Sequence, residues 1–258
     1  MIRKEINEFD LKKTAESGEC FRWREKEDGS FDIPAFGRLL NIKYISGNTY
    51  ELSCSEEDWE NIWFYYFDMT TDYEDIGKRI MAGKDDHLKE AYLLGRGIRI
   101  LRQDLFEIII SFLISQNNNI PRIKKSIEAL CKGGKFPYPG EVSDDIFYKK
   151  ETGLGYRADY LKEMYEYTAA APEWLEKLKT LSYEEAVSEL KSHKGIGPKV
   201  ADCICLFGLH HIDAFPVDTH IKQLMAKYYK AGFDLEACRG FAGIAQQYLF
   251  YYELKAEK

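Results

Sequence analysis

The chain has 258 residues, 45% of them hydrophobic and 31% charged, with a formal net charge of −7. That length supports roughly two domains with a sizeable core, which excludes a disordered or fibrous chain. No stretch approaches the ~18 apolar residues of a membrane span, and Glu5 and Glu8 stand where a signal peptide needs an apolar core, so the expectation is an intracellular protein, cytoplasmic and nucleoid-associated if the source is prokaryotic.

Segments 20–23, 31–36, 39–45 and 50–54 read as strands. They are short, rich in aromatic and β-branched residues, and separated by turn signals at Asp28-Gly29-Ser30 and Ser46-Gly47-Asn48, which predicts an antiparallel sheet. Ser55-Glu56-Glu57-Asp58 and Thr71-Asp72-Tyr73-Glu74 then have the pattern of helix starts. Residues 1–95 carry 13 Lys/Arg and 21 Asp/Glu, a net of −8, which leaves 23 against 22 for residues 96–258. The acidity therefore belongs to the first part. The second can still present a local cationic face, and backbone N–H groups bind phosphate without formal charge.

After about residue 96 the strand signal stops. Helical patterns follow at 103–115, 119–132, 157–171, 182–192, 199–208, 219–229 and 234–251, with a capping box at Ser182-Tyr183-Glu184-Glu185 and a loop marked by Gly133-Gly134, Pro137 and Pro139. The expected fold is α+β, with an N-terminal antiparallel sheet domain at 1–95 and a helical domain at 96–258 that holds the site in a cleft. The six cysteines (20, 54, 131, 203, 205, 238) are scattered, as expected of reduced thiols. No Cys-x-x-Cys pair or four-cysteine tail is present, which argues against zinc and against an iron–sulfur cluster.

Two runs lie close together. His193-Lys194-Gly195-Ile196-Gly197-Pro198-Lys199-Val200-Ala201-Asp202-Cys203 is a Gly-x-Gly hairpin opening onto a helix, with Lys199 in the positive end of the helix dipole. Phe215-Pro216-Val217-Asp218-Thr219-His220 follows and supplies a carboxylate. A lone Gly-x-Gly is weak, since a tight turn with a solvated lysine reads the same, and Asp218 is also a good helix N-cap. Amine plus carboxylate beside a phosphate site suggests Schiff-base chemistry on a phosphate-bearing substrate.

These runs resemble the helix-hairpin-helix and Gly/Pro–Asp segment of the base-excision DNA glycosylases, and specifically of the 8-oxoguanine DNA glycosylase/lyases. The resemblance extends to Gly18-Glu19-Cys20-Phe21-Arg22-Trp23-Arg24, to Ser115-Gln116-Asn117-Asn118-Asn119-Ile120-Pro121-Arg122, to Gly153-Leu154-Gly155-Tyr156-Arg157-Ala158 and to residues 241–250, in the family's order. It implies Lys199 as nucleophile and Asp218 as the carboxylate that stabilises the cationic sugar. The Gly18 carbonyl would read the lesion, with Cys203 and Phe250 sandwiching the base and Gln246 on its Watson–Crick edge. Tyr156 would wedge into the stack while Asn117, Arg122 and Arg157 hold the orphaned cytosine, and Gly195, Gly197 and His220 would face DNA.

The resemblance implies a monomer acting on duplex DNA with a damaged base, with no membrane partner and no cofactor, and is compatible with a structural cation on hairpin carbonyls. Three departures stand out: His193-Lys194 where the family has an apolar-Pro pair, Pro121 within the Asn-rich segment, and Glu19-Cys20 beside Gly18 in place of Gln and a small residue. Two rivals are a related glycosylase for another damaged base, such as an alkylated purine, and a non-catalytic helix-hairpin-helix DNA-binding protein. A lysine at 199 disfavours the first, since excision by water needs only the aspartate. The pairing of Asp218 with Gln246 disfavours the second.

Overall fold

The computed structural model describes residues 1–131, 134–230 and 232–256, with Ala256 described by its backbone alone. Lys132 at the end of one expected helix, Gly133 in the expected loop, and the last two residues of the expected second domain lie outside the described residues.

Five strands, β1 (Ile2–Glu5), β2 (Arg24–Glu25), β3 (Phe31–Ala35), β4 (Arg38–Ser46) and β5 (Thr49–Leu52), form one antiparallel sheet in the order β1-β5-β4-β3-β2. Alternation puts Phe31, Ile33, Leu40, Ile42, Tyr50 and Leu52 on one face. That face shares a core with α1 (Leu11–Glu16) and with a continuous helical stretch made of α2 (Glu56–Asp58), a π-turn at Trp59–Trp63 and α3 (Phe64–Tyr66). The strand expected at 20–23 is not one. Cys20, Phe21, Arg22 and Trp23 are all buried in succession, which no half-buried strand allows: Trp23 enters the sheet's core, Phe21 enters the helical core, and Arg22 pairs with Glu107 at 2.8 Å. β1 escaped the sequence reading because Arg3, Lys4 and Glu5 hide its period.

The helices are α4 (Tyr73–Ala82), α5 (Asp86–Gly95), α6 (Leu105–Ser115), α7 (Ile120–Leu130), α8 (Arg157–Ala170), α9 (Glu173–Leu178), α10 (Tyr183–Lys191), α11 (Pro198–Phe207), α12 (Thr219–Tyr228) and α13 (Ala242–Ala256). Local caps set many starts: Asp72, Asp85, Asp104, Asn119 and Asp218 each accept a backbone N–H, and Ser182 and Glu185 complete the capping box. α6 is buried along almost its whole length and packs against α7, α8 and α11, so it is the hub on which the other helices are arranged. The last helix starts eight residues later than expected. Gly240 (φ +85°) follows a 3-10 turn at Glu236–Cys238, and the Asp213 carboxylate accepts from the Gly240 N–H at 2.6 Å just ahead of α13.

Asp68 ties the two parts. Its fully buried carboxylate accepts from Arg102 Nε and Tyr73 Oη, both at 2.9 Å, and lies 3.3 Å from His210 Nε2. Burial alone would raise its pKa, but His210, the Thr71 hydroxyl and the Arg102 charge outweigh it and hold the group at about 2. All six cysteines are free, and all but Cys54 are buried. Among the described residues no helix is long and apolar enough to cross a membrane.

Candidate active site

The hairpin joins α10 to α11. Gly195 has φ +85°, and a Cβ there would meet the Tyr160 ring of α8 at 2.5 Å, so both conformation and space require glycine. Gly197 faces open space, caps α11 without a side-chain partner, and leaves that helix's first N–H groups directed outward. His193 and Lys194 anchor the turn. The His193 ring packs 4.5 Å from Tyr167 and 4.7 Å from Trp174, where burial lowers its pKa, and Lys194 pairs with Glu163 at 2.5 Å.

Lys199, in the first turn of α11, is half-buried with its Nζ 5.3 Å from the Phe112 ring centroid. One turn further on, burial pushes the Cys203 thiol up to about 11. The Lys199 ammonium opposes that shift and hydrogen-bonds the sulfur, while the Asp218 charge reinforces it. Asp218 is also an N-cap, accepting from Ile221 N–H at 2.9 Å, which keeps its oxygens in a fixed direction.

The expected base pocket is assembled from three distant segments. Gly18 (φ +82°) lies so close to Phe250 that a Cβ would stand 3.0 Å from its Cε1. The His220 ring meets the other side of this corner, 5.7 Å from the Phe250 centroid and nearly perpendicular to it. Gln246, one turn before Phe250 and therefore on the same helix face, is 4% exposed, and its Nε2 donates to Pro216 O at 3.0 Å. No protein group among the described residues donates to its buried Oε1.

The expected DNA-facing residues also lie together. Asn117 adopts φ +46°, and its Nδ2 donates to the Tyr156 hydroxyl at 3.2 Å. Tyr156 is 50% exposed and rests edge-on against Tyr160, the ring that receives Gly195. Arg122 is exposed beside a groove lined by Tyr148, Lys149, Gly153 and Gly155, and Pro121 is tolerated because it falls in the first turn of α7. Arg157 is placed otherwise than expected. It is 5% exposed, and its guanidinium donates to the carbonyls of Gln116, Asn117 and Leu154, so in this conformation it braces the Asn-rich loop rather than offering donors to a base. Among the described residues no group of three or more His, Cys, Asp or Glu side chains could hold a metal ion.

The sequence marked Glu19 only as a departure beside Gly18, without a role. Glu19 is fully buried, and burial pushes its carboxyl up to about 8 against the lowering effect of the Leu101 N–H and the Ser17 hydroxyl. Gln103 Nε2 donates to Glu19 O at 2.9 Å, and Gln247 Nε2 to Ser17 O at 2.6 Å. Gln103 falls in no motif, and Gln247 lies in the matching segment 241–250 without a role of its own there.

An α+β frame in which a helix-hairpin-helix carries Lys199 in the first turn of its second helix, Asp218 caps the helix that follows, and Gly18, His220 and Phe250 from distant segments meet at one corner, defines a DNA glycosylase of the helix-hairpin-helix class. The family described as 8-oxoguanine DNA glycosylase, N-terminal domain, matches residues 1–109. The N-glycosylase/DNA lyase OGG1 of Arabidopsis thaliana is 32% identical over 97% of this chain and 79% of its own length. The Clostridium acetobutylicum 8-oxoguanine glycosylase/lyase, solved with double-stranded DNA containing cytosine opposite 8-oxoG, superposes with a TM-score of 0.89 at 35% identity, covering 100% of this chain and 99% of that one. A 3-methyladenine DNA-glycosylase from Archaeoglobus fulgidus, at 19% identity and TM-score 0.73 over 98% of both chains, shares the fold. The chain belongs to the 8-oxoguanine DNA glycosylase/lyase family.

Proposed function

We propose that this enzyme removes 8-oxoguanine opposite cytosine in duplex DNA by forming a Schiff base on Lys199. The observation that carries the reading is the corner where Gly18, Phe250 and His220 meet, two residues after the Asp218 carboxylate that caps α12, in a chain whose hairpin helix holds Lys199 in its first turn. In the proposed sequence the neutral Lys199 amine attacks the anomeric carbon as the bond to the base breaks, and the Asp218 carboxylate stabilises the cationic sugar. The sugar ring opens to the imine, a proton leaves the adjacent carbon, and β-elimination expels the 3′ phosphate.

The base occupies the pocket through its own polarity. 8-Oxoguanine carries an N7–H where guanine has a lone pair, so the Gly18 carbonyl accepts from the lesion and repels guanine, a difference of about 1–3 kcal/mol for a buried mismatched acceptor. The Gln246 amide, with an unclaimed Oε1, suits the donors of the Watson–Crick edge. Outside the pocket, Tyr156 fills the vacated stack, and Asn117 and Arg122 meet the partner cytosine. Arg157 joins them only by releasing the loop carbonyls it holds. The test is borohydride trapping with a single 8-oxoguanine in duplex DNA. Wild type should give a covalent adduct and a nick, and Lys199→Gln should give neither while still binding the duplex. An adduct formed by Lys199→Gln would overturn the assignment.

A further inference from the structure

The peptide on either side of Gly18 is fixed while Gly18 itself is left open. The Ser17 carbonyl accepts from Gln247 of α13 at 2.6 Å, and the Glu19 carbonyl accepts from Gln103, just ahead of α6, at 2.9 Å. The Glu19 side chain runs inward and accepts from Leu101 N–H at 3.0 Å, and Ser17 Oγ donates to Thr14 O at 2.8 Å. Among the described residues no protein group donates to the Gly18 carbonyl. Phe250 blocks the Cβ side of the same residue at 3.0 Å. A glycine at φ +82° has wide freedom of its own, and a free carbonyl there would swing. Holding the carbonyls before and after it removes that swing without occupying the acceptor.

We infer that Gln103 and Gln247, with the Glu19 side chain, are positioning residues that aim the Gly18 carbonyl and so set how sharply the enzyme tells its lesion from close analogues. The inference rests on the reading that this carbonyl accepts from the lesion's N7–H. α13 then carries two consecutive glutamines with separate tasks. Gln246 turns toward the pocket and the Pro216 carbonyl, whereas Gln247 turns to the Ser17 segment at the far end of the chain. A hydrogen bond responds steeply to angle, so a few tenths of an ångström of slack at the acceptor is felt mainly by the donor-bearing base.

Three duplexes separate the possibilities: 8-oxoguanine opposite cytosine, the same base methylated at N7, and a preformed abasic site. The methylated base keeps the C8 oxygen but has no N7 donor, and the abasic site offers no base to read. Wild type should excise 8-oxoguanine at least about tenfold faster than its methylated form. Gln247→Met and Gln103→Met keep side-chain volume and remove the donor, and should shrink that ratio by roughly tenfold, the equivalent of about 1.4 kcal/mol, measured against abasic-site nicking as the internal reference. Glu19→Gln keeps an acceptor for Leu101 N–H and should retain the ratio. If the Met variants do not fold, Gln247→Asn, one methylene short, should show the same loss. A ratio that stays at the wild-type value while all three rates fall together makes these residues scaffold only and overturns the inference. A wild-type ratio near one instead overturns the underlying role of the Gly18 carbonyl, and needs no variant to reveal it.

Discussion

Replacing Glu19 by Gln should make the protein more stable at neutral and alkaline pH and slightly less stable in mild acid. Glu19 has no exposed surface, and its carboxyl is raised by burial from 4.5 to about 8. A folded-state pKa above the unfolded one means that stability present below pH 4.5 is lost progressively as pH rises towards 8, because the unfolded chain releases the proton that the fold retains. At 1.36 kcal/mol per unit, neutral pH already removes about 3 kcal/mol from the wild type, and pH 8 removes about 4. The amide carries no such penalty. It still accepts from Leu101 N–H, and it turns its N–H₂ toward Ser17 Oγ, which now lies 3.4 Å from the carboxyl oxygen. One amide hydrogen left unpaired costs about 1–2 kcal/mol at every pH. The variant should therefore be about 1 kcal/mol less stable than wild type at pH 5 and about 2–3 kcal/mol more stable at pH 8. Urea unfolding of both proteins at pH 5, 6, 7 and 8 measures the difference directly, and the other titrating groups cancel because both proteins contain them. A stability difference that stays flat across this range would mean that Glu19 is ionised in the fold, and the burial argument would be wrong.

Two further predictions concern the chemistry. Asp218→Asn should melt close to wild type, since Asn caps a helix about as well as Asp, yet excise 8-oxoguanine at least about tenfold more slowly for want of the negative charge; excision at the wild-type rate in single-turnover assays would reduce Asp218 to a cap. Arg122→Ala should narrow the preference for cytosine over adenine opposite the lesion by a factor of roughly 5 to 150, one polar base contact's worth, and equal wild-type rates opposite all four bases would remove the premise.

Local chemistry was legible in the sequence and long-range chemistry was not. The caps at Asp104, Asn119, Ser182 and Asp218 act within three residues, so the helices they start fall within two residues of their expected positions. Lys199 in the first turn of α11 and Asp218 as the cap of α12 stand where the helix-start signals put them. Segment 20–23 misled because its aromatic composition suits a strand, while its burial is decided by two separate cores that meet around it. The contacts that frame Gly18 were not legible: Gln247 and the Ser17 carbonyl lie 230 positions apart, and a glutamine bound to a backbone oxygen looks like any surface glutamine until the fold closes. Arg157 carries a similar lesson. Its sequence context suggests a base contact, but a guanidinium has donors enough to be consumed by three nearby carbonyls.

The chain carries six free thiols, each open in principle to oxidation. Oxidation proceeds through the thiolate, so the proton is the protection. Burial holds Cys203 and Cys238 up to about 11 and Cys131 and Cys205 up to about 12, and raises Cys20 well above its ordinary value. At neutral pH a thiol at 11 is ionised in only about one molecule in ten thousand. The Cys203 sulfur, one turn after Lys199, therefore stays a protonated and inert thiol. Peroxide should reach Cys54 first, at the edge of the sheet's core and far in sequence from the hairpin.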